Sequence, residues 1–120
     1  MTEAQLLQLG RRWIEVWNSH DLNSILDLYS GDAAMSSPVI TQLKLSETGV
    51  LRGRDALHKY WSSGLSMLPH LHFTLLDVST SPDSIVIRYR NERGHTICEY
   101  LRVGPDEKII RGSAHHLHAP

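Results

Sequence analysis

The chain has 120 residues, 41% hydrophobic and 21% charged, which is ordinary usage for one globular domain, 1–120, able to bury its own core. Twelve basic residues against thirteen acidic ones leave a formal net charge of −1, so no bulk field draws nucleic acid or an anionic membrane. A single cysteine, Cys98, excludes an intrachain disulfide and a multi-cysteine metal site, and no apolar run nears the roughly 20 residues of a membrane span.

Thr2 and Gln5 have the spacing of a capping box, and Leu6, Gly10, Trp13 and Trp17 then recur at helical spacing, with Leu7 and Ile14 widening the stripe. The opening Met1-Thr2-Glu3 lacks the basic start and apolar core of a secretion signal, so a cytoplasmic protein is expected. The first helix is predicted to end near Asn18-Ser19-His20. Asp21 then caps a short second helix carrying Leu22, Ile25, Leu26 and Tyr29, closed by Ser30-Gly31-Asp32. Residues 33–51 read as irregular or short-strand, punctuated by Pro38 and Gly49. Gly53 precedes a third helix with Ala56, Leu57, Tyr60, Trp61 and Leu65 on one face, ended by Pro69.

The period then changes. Residues 71–78, 84–91, 95–103 and 108–116 are rich in β-branched and aromatic side chains, separated by turns at Ser79 to Asp83, Glu92-Arg93-Gly94 and Gly104 to Glu107. Connections this short demand antiparallel neighbours. The expected fold is α+β: three N-terminal helices on a curved four-stranded antiparallel sheet, with additional short strands.

The run Trp13 to Trp17, then Asn18-Ser19-His20-Asp21-Leu22, then Leu28-Tyr29-Ser30-Gly31-Asp32-Ala33, resembles the opening of SnoaL-like (nuclear transport factor 2-like) proteins. Gly53-Arg54-Asp55-Ala56-Leu57 resembles their entry into helix three, so the likeness covers nearly the whole chain. It implies a cone-shaped pocket and frequent homodimers. Ketosteroid isomerase, polyketide cyclases, limonene epoxide hydrolase and scytalone dehydratase belong to that superfamily, and other members only bind or dimerise. The matching residues are mostly structural and specify the fold better than the chemistry.

Register shows which residues could face a ligand. With a turn over 104–107, Val103 pairs with Lys108, Glu99 with Gly112 and Ile97 with Ala114. Ile97, Glu99, Leu101, Ile110, Gly112, Ala114 and His116 then share one face. A three-residue hairpin with Gly94 left-handed adds Ile85, Ile87 and Tyr89 to it. Gly112 and Ala114 are small enough to leave room for a ligand. Glu99 is the catalytic candidate, since an acid among apolar neighbours has a raised pKa and can exchange a proton near neutrality. A preceding loop of even length would instead set Arg88 or Val86 opposite Glu99, in keeping with a structural ion pair.

The stretch Cys98-Glu99-Tyr100-Leu101 resembles the ketosteroid isomerase strand whose acid helps hold the oxyanion. The rest of that constellation departs from the pattern. Ser37, before Pro38, stands where the catalytic base would be, and Trp13 stands where the oxyanion tyrosine would be. Ketosteroid isomerisation is therefore not expected. Trp13, Ser37 and Glu99 still converge in the alignment, although Trp13 also fits a plain core aromatic.

Trp17, Tyr29, Tyr60 and Trp61 join Trp13 as an aromatic set on the helices, most simply core, with pocket lining for one or two. His116 and His118 face one way on a strand as two imidazole ligands could, yet no third ligand has matching spacing and no metal site is read. His116 falls about 13 Å from Glu99 in this register. His70 and His72 read as rim residues. The other sheet face, with Val86, Arg88, Arg90, Cys98, Tyr100, Arg102 and Arg111, suits a homodimer interface or a solvated surface.

No phosphate loop, dinucleotide fingerprint or nucleophile elbow occurs, so no cofactor is expected. Two readings remain open. One is a cofactor-independent acid/base enzyme acting on a hydrophobic small molecule by isomerisation, cyclisation, dehydration or hydrolysis. The other is a non-catalytic ligand-binding or dimerisation domain.

Overall fold

The computed structural model describes residues 1–119; Pro120, the end of the expected domain, lies outside them. Helix α1 (Glu3–Ser19) starts at the capping box, where Thr2 Oγ1 accepts from Gln5 N at 3.1 Å and Gln5 Oε1 accepts from Thr2 N at 2.8 Å. It buries Leu6, Leu9, Gly10, Trp13, Ile14, Val16 and Trp17. His20 ends it in the left-handed conformation, with Nε2 hydrogen-bonded to Leu71 O at 2.7 Å. Asp21 caps α2 (Leu22–Leu26) by accepting from Asn23 N and Ser24 N.

Tyr29 does not extend that helix. It opens strand β1 (Tyr29–Ser36), and the stretch read as irregular or short-strand also holds α3 (Pro38–Gln42), which was not expected, and the start of the short strand β2 (Val50–Arg52). Ser37 accepts from Val39 N as the α3 cap, and Pro38 takes the first helical turn, where its missing N–H costs nothing. Gly53, at φ 94, turns the chain into α4 (Arg54–Met67), so the described residues form four helices rather than three.

The four expected strands are present as β3 (Thr74–Ser81), β4 (Ser84–Arg90), β5 (Thr96–Val103) and β6 (Ile109–His116). Strand β3 starts later than the sequence suggested and extends to Ser81, so the expected turn over Ser79 to Asp83 narrows to Pro82-Asp83. Its approach is fixed by Asn18, whose amide donates to Phe73 O at 2.9 Å and accepts from Phe73 N at 2.7 Å. The sheet has six strands in the order β2-β1-β6-β5-β4-β3. It is not wholly antiparallel: β1 runs parallel to β6. Shifts in register within the β1–β6, β3–β4 and β5–β6 pairs bend it.

The β4–β5 hairpin has the expected register, with Ile87 opposite Glu99 and Gly94 left-handed at φ 79. Arg88 lies opposite Cys98 and is exposed, which removes the ion pair with Glu99. The β5–β6 pairing is two residues off expectation. Glu99 faces Ala114, Leu101 faces Gly112 and Ile97 faces His116. The cause is the turn, where Gly104 N bonds Lys108 O and Glu107 adopts a left-handed φ of 64. A bulge between Arg102 and Val103 completes the offset and puts Ile109, not Ile110, in the core.

Helix α1 crosses β3 and β4, and α4 packs beside β1 and β2. Together they cover one face of the sheet, whose buried side chains form a single core with Trp13, Trp17, Tyr29 and Trp61. The α1–β3 crossing is close. A Cβ on Gly10 would lie 2.9 Å from Val78 Cγ2.

Candidate functional site

Among the described residues, Glu99 is the one buried carboxyl, and it lies on the covered face of the sheet. Glu99 is 3% exposed, between Ile87 on β4 and Ala114 on β6. Its Oε1 accepts a long hydrogen bond of 3.5 Å from the Tyr89 hydroxyl, and Oε2 has no partner among the described residues. No cation reaches it: the ion pairs join Arg54 to Asp27, Arg88 to Asp77 and Arg102 to Asp83, all well exposed. Burial therefore dominates and pushes the Glu99 carboxyl up to about 8, against a weaker downward pull from Tyr89. At pH 7 Glu99 is mostly a neutral acid, able to donate a hydrogen bond or a proton.

An aromatic cage adjoins it through Tyr89. Trp13 lies 5.5 Å from Tyr89 and 5.9 Å from Trp17, ring centre to ring centre, and Trp61 lies 5.4 Å from Trp17 and 4.9 Å from Tyr29. The Trp13 indole donates to the Tyr29 hydroxyl at 2.9 Å. The buried Trp17 indole N–H makes no hydrogen bond of ordinary geometry among the described residues and is near enough to the Tyr29 hydroxyl to act on it electrostatically. Burial and then the Glu99 charge push the Tyr29 hydroxyl far above its usual range, while the Trp13 and Trp17 N–H groups work against them. Tyr89 is raised for the same two leading reasons. Tyr60 is raised by burial first, with the Ser37 hydroxyl opposing and Glu99 adding. All three phenols stay protonated as hydrogen-bond donors.

Of the residues singled out in the sequence, Trp13, Trp17, Trp61, Ile87, Tyr89 and Glu99 meet here, with Tyr60 and Ser37 alongside. Ala114, opposite the acid, is only partly buried. Gly112 sits two pairs further on, on the same face, and its space is already used. A Cβ there would come within 2.8 Å of Met35 Sδ and 3.3 Å of Leu101 Cδ2. The two-residue offset brings His116 closer than expected, onto the diagonal from Glu99, about 7–8 Å away between backbones. Partial burial, then His118 and His95, lower its pKa and favour the neutral imidazole.

The sequence groups Tyr29 with these aromatics but places it on a helix; in the structure it opens strand β1. Its signal was the β-branched-poor run Tyr29-Ser30-Gly31-Asp32-Ala33-Ala34, too short and small to oppose the helical reading. No group of three or more metal-ligating side chains occurs among the described residues. Two surface depressions of about 260 and 270 Å³ lie elsewhere, around Met1, Leu6 and Pro82. They border turns and the N-terminus, whereas the buried polar atoms without a hydrogen bond among the described residues, Glu99 Oε2 and Trp17 Nε1, lie at the cage.

The family described as the SnoaL-like domain matches residues 10–113. Comparison with the curated proteins finds no match. Among solved structures, a SnoaL-like protein of unknown function from Burkholderia thailandensis is 37% identical, with a TM-score of 0.92, over 98% of this chain and 99% of that one. SalBIII, an epoxide hydrolase/cyclase-like enzyme in pyran ring formation in the polyether salinomycin, shares the fold at 14% identity, with a TM-score of 0.75 over 96% and 92% of the two chains. A candidate polyketide cyclase from Sinorhizobium meliloti does so at 12% identity, with a TM-score of 0.73 over 96% and 100%.

Proposed function

The chain belongs to the SnoaL-like domain family, and we propose that it is a cofactor-independent acid/base enzyme of the isomerase, cyclase, dehydratase or hydrolase type, acting on a hydrophobic small molecule. The observation that carries this reading is Glu99, a carboxyl fully buried next to the aromatic cage with no cation beside it and one oxygen unpartnered. A structural acid in such a place would be ion-paired or replaced by an apolar residue, because its desolvation is so costly. A proton-transfer group gains from it, since a pKa near 8 suits exchange at neutral pH.

Glu99 acts as the proton donor. The Tyr89 hydroxyl orients the acid, and the Trp13–Tyr29 pair and the Trp17 N–H offer further donors to developing negative charge. His116, neutral and on the same sheet face, is placed to accept a proton from the far side of a ligand over Ala114. Trp61, Tyr60, Ser37 and Ile87 supply the wall, and an apolar lining with a few polar tips selects an apolar ligand. Proton transfer of this kind requires no bound cofactor. Relatives of the same fold that carry cyclase names support the reaction class.

Uptake of solvent deuterium at the α-carbon of cyclohexanone, followed by NMR, tests the reading. Wild-type protein accelerates exchange, and Glu99→Gln loses at least 100-fold of that acceleration. Exchange equal in the two proteins, together with saturable binding of the ketone, would assign the cage to ligand binding without turnover.

A further inference from the structure

The uncovered face of the sheet carries a different kind of cluster. Cross-strand partners point to the same side, so Arg52 on β2, Ala34 on β1, Arg111 on β6 and Arg102 on β5 form one row on that face. Ser36, Ser113 and Tyr100 form the next row, and His115 with Cys98 the one after. Arg102 and Arg111 are direct partners, an unfavourable placement for like charges. Only Arg102 finds an acid, Asp83, at 3.3 Å.

The other two arginines are barely engaged. Arg52 donates to Asp32 O at 3.4 Å and Arg111 to Ser36 Oγ at 3.5 Å, long bonds to neutral oxygens, with no ion pair for either among the described residues. Each guanidinium keeps most of its five donors free. Ala34, itself buried, lies between them on the sheet. Alongside, Ser36 Oγ donates to Ser113 Oγ at 3.1 Å, and Ser113 Oγ lies 3.0 Å from His115 Nε2. When the imidazole N–H donates to Ser113, the Ser113 hydroxyl is released to donate outward. Two guanidiniums and a turnable hydroxyl are the donor set that recognises a multiply charged oxyanion.

We propose that this face binds a phosphate-type oxyanion, held by Arg52 and Arg111 with the Ser113 hydroxyl, at a site separate from the Glu99 cage. The bound anion cancels the repulsion along the arginine row. Inorganic phosphate, titrated at constant ionic strength against chloride, is the probe, read by NMR at the Arg52 and Ser113 amides and the His115 ring. Saturable shifts are expected with phosphate and not with chloride, and weaker ones with acetate, which separates a phosphate site from a carboxylate site. Arg111→Gln should weaken phosphate binding at least tenfold, while Arg93→Gln, an exposed arginine of the β4–β5 turn, leaves it unchanged. Non-saturable shifts, equal shifts with chloride, tighter binding of acetate, or undiminished binding in Arg111→Gln would overturn the proposal. So would loss of a dimer in Arg111→Gln without phosphate binding by wild type, which would make an acid of a second copy the partner.

Discussion

At the scale of single residues, Glu99 controls both stability and chemistry. Its folded pKa, about 8, lies above the ordinary 4.5, so the native state holds the proton more tightly than the unfolded chain. The stability this confers is complete below pH 4.5, declines as pH rises toward 8 and is gone above it. The full decline approaches about 5 kcal/mol. Denaturant melts of Glu99→Gln should therefore be nearly flat over that window, matching wild type at pH 4 and exceeding it at pH 8. A variant less stable than wild type at pH 8 would mean that the carboxylate is held by a charge partner. Gly112 makes a second case. Because Met35 and Leu101 fill the space above it, Gly112→Ala should cost about 1–3 kcal/mol. Combined with Met35→Ala, which opens that space, the losses should be clearly less than additive. The inward face of Glu99 was legible in the sequence because side chains alternate with a period of two. A register offset of two residues changes the neighbour and leaves the face intact. The occupant of the space at Gly112 was not legible, since Met35 reaches it from a strand more than seventy residues earlier.

At the scale of elements, the local signals with a physical mechanism were the ones that could be read. The Thr2–Gln5 box, the Asp21 cap and the Gly94 hairpin each depend on neighbours a few residues away. Strand β1 depends on β6 and β2, and its own residues carry no alternation, so nothing local distinguishes it from a loop. Its parallel pairing also lay beyond the rule that short connections make antiparallel neighbours. Asn18 shows how a motif residue acts at this scale. Both ends of its amide bind the Phe73 backbone and fasten the entry of β3 to the end of α1. Asn18→Ala leaves two half-buried backbone groups unpaired and should cost about 2 kcal/mol. Hydrogen exchange should accelerate first at the Phe73 amide. Unchanged protection there would show that the clamp contributes little.

At the scale of the whole molecule, the two faces of the sheet divide the work. The face under α1 and α4 encloses a neutral acid next to the aromatic cage, and the other presents Val86, Arg88, Cys98, Tyr100 and the arginine row. No helix among the described residues is long and apolar enough to cross a membrane. We propose homodimerisation through the part of the open face around Val86 and Tyr100. Light scattering at micromolar concentration should report about twice the 13.6 kDa chain mass. Tyr100→Arg should halve that value, and a wild-type monomer at every concentration would remove this assignment. The central claim is that the fold stores a proton on Glu99 at neutral pH, and carboxyl-detected NMR titration of that side chain tests it most directly. The account predicts a midpoint near 8, well above the ordinary 4.5. A midpoint at or below the ordinary 4.5 would contradict it and leave Glu99 a structural residue.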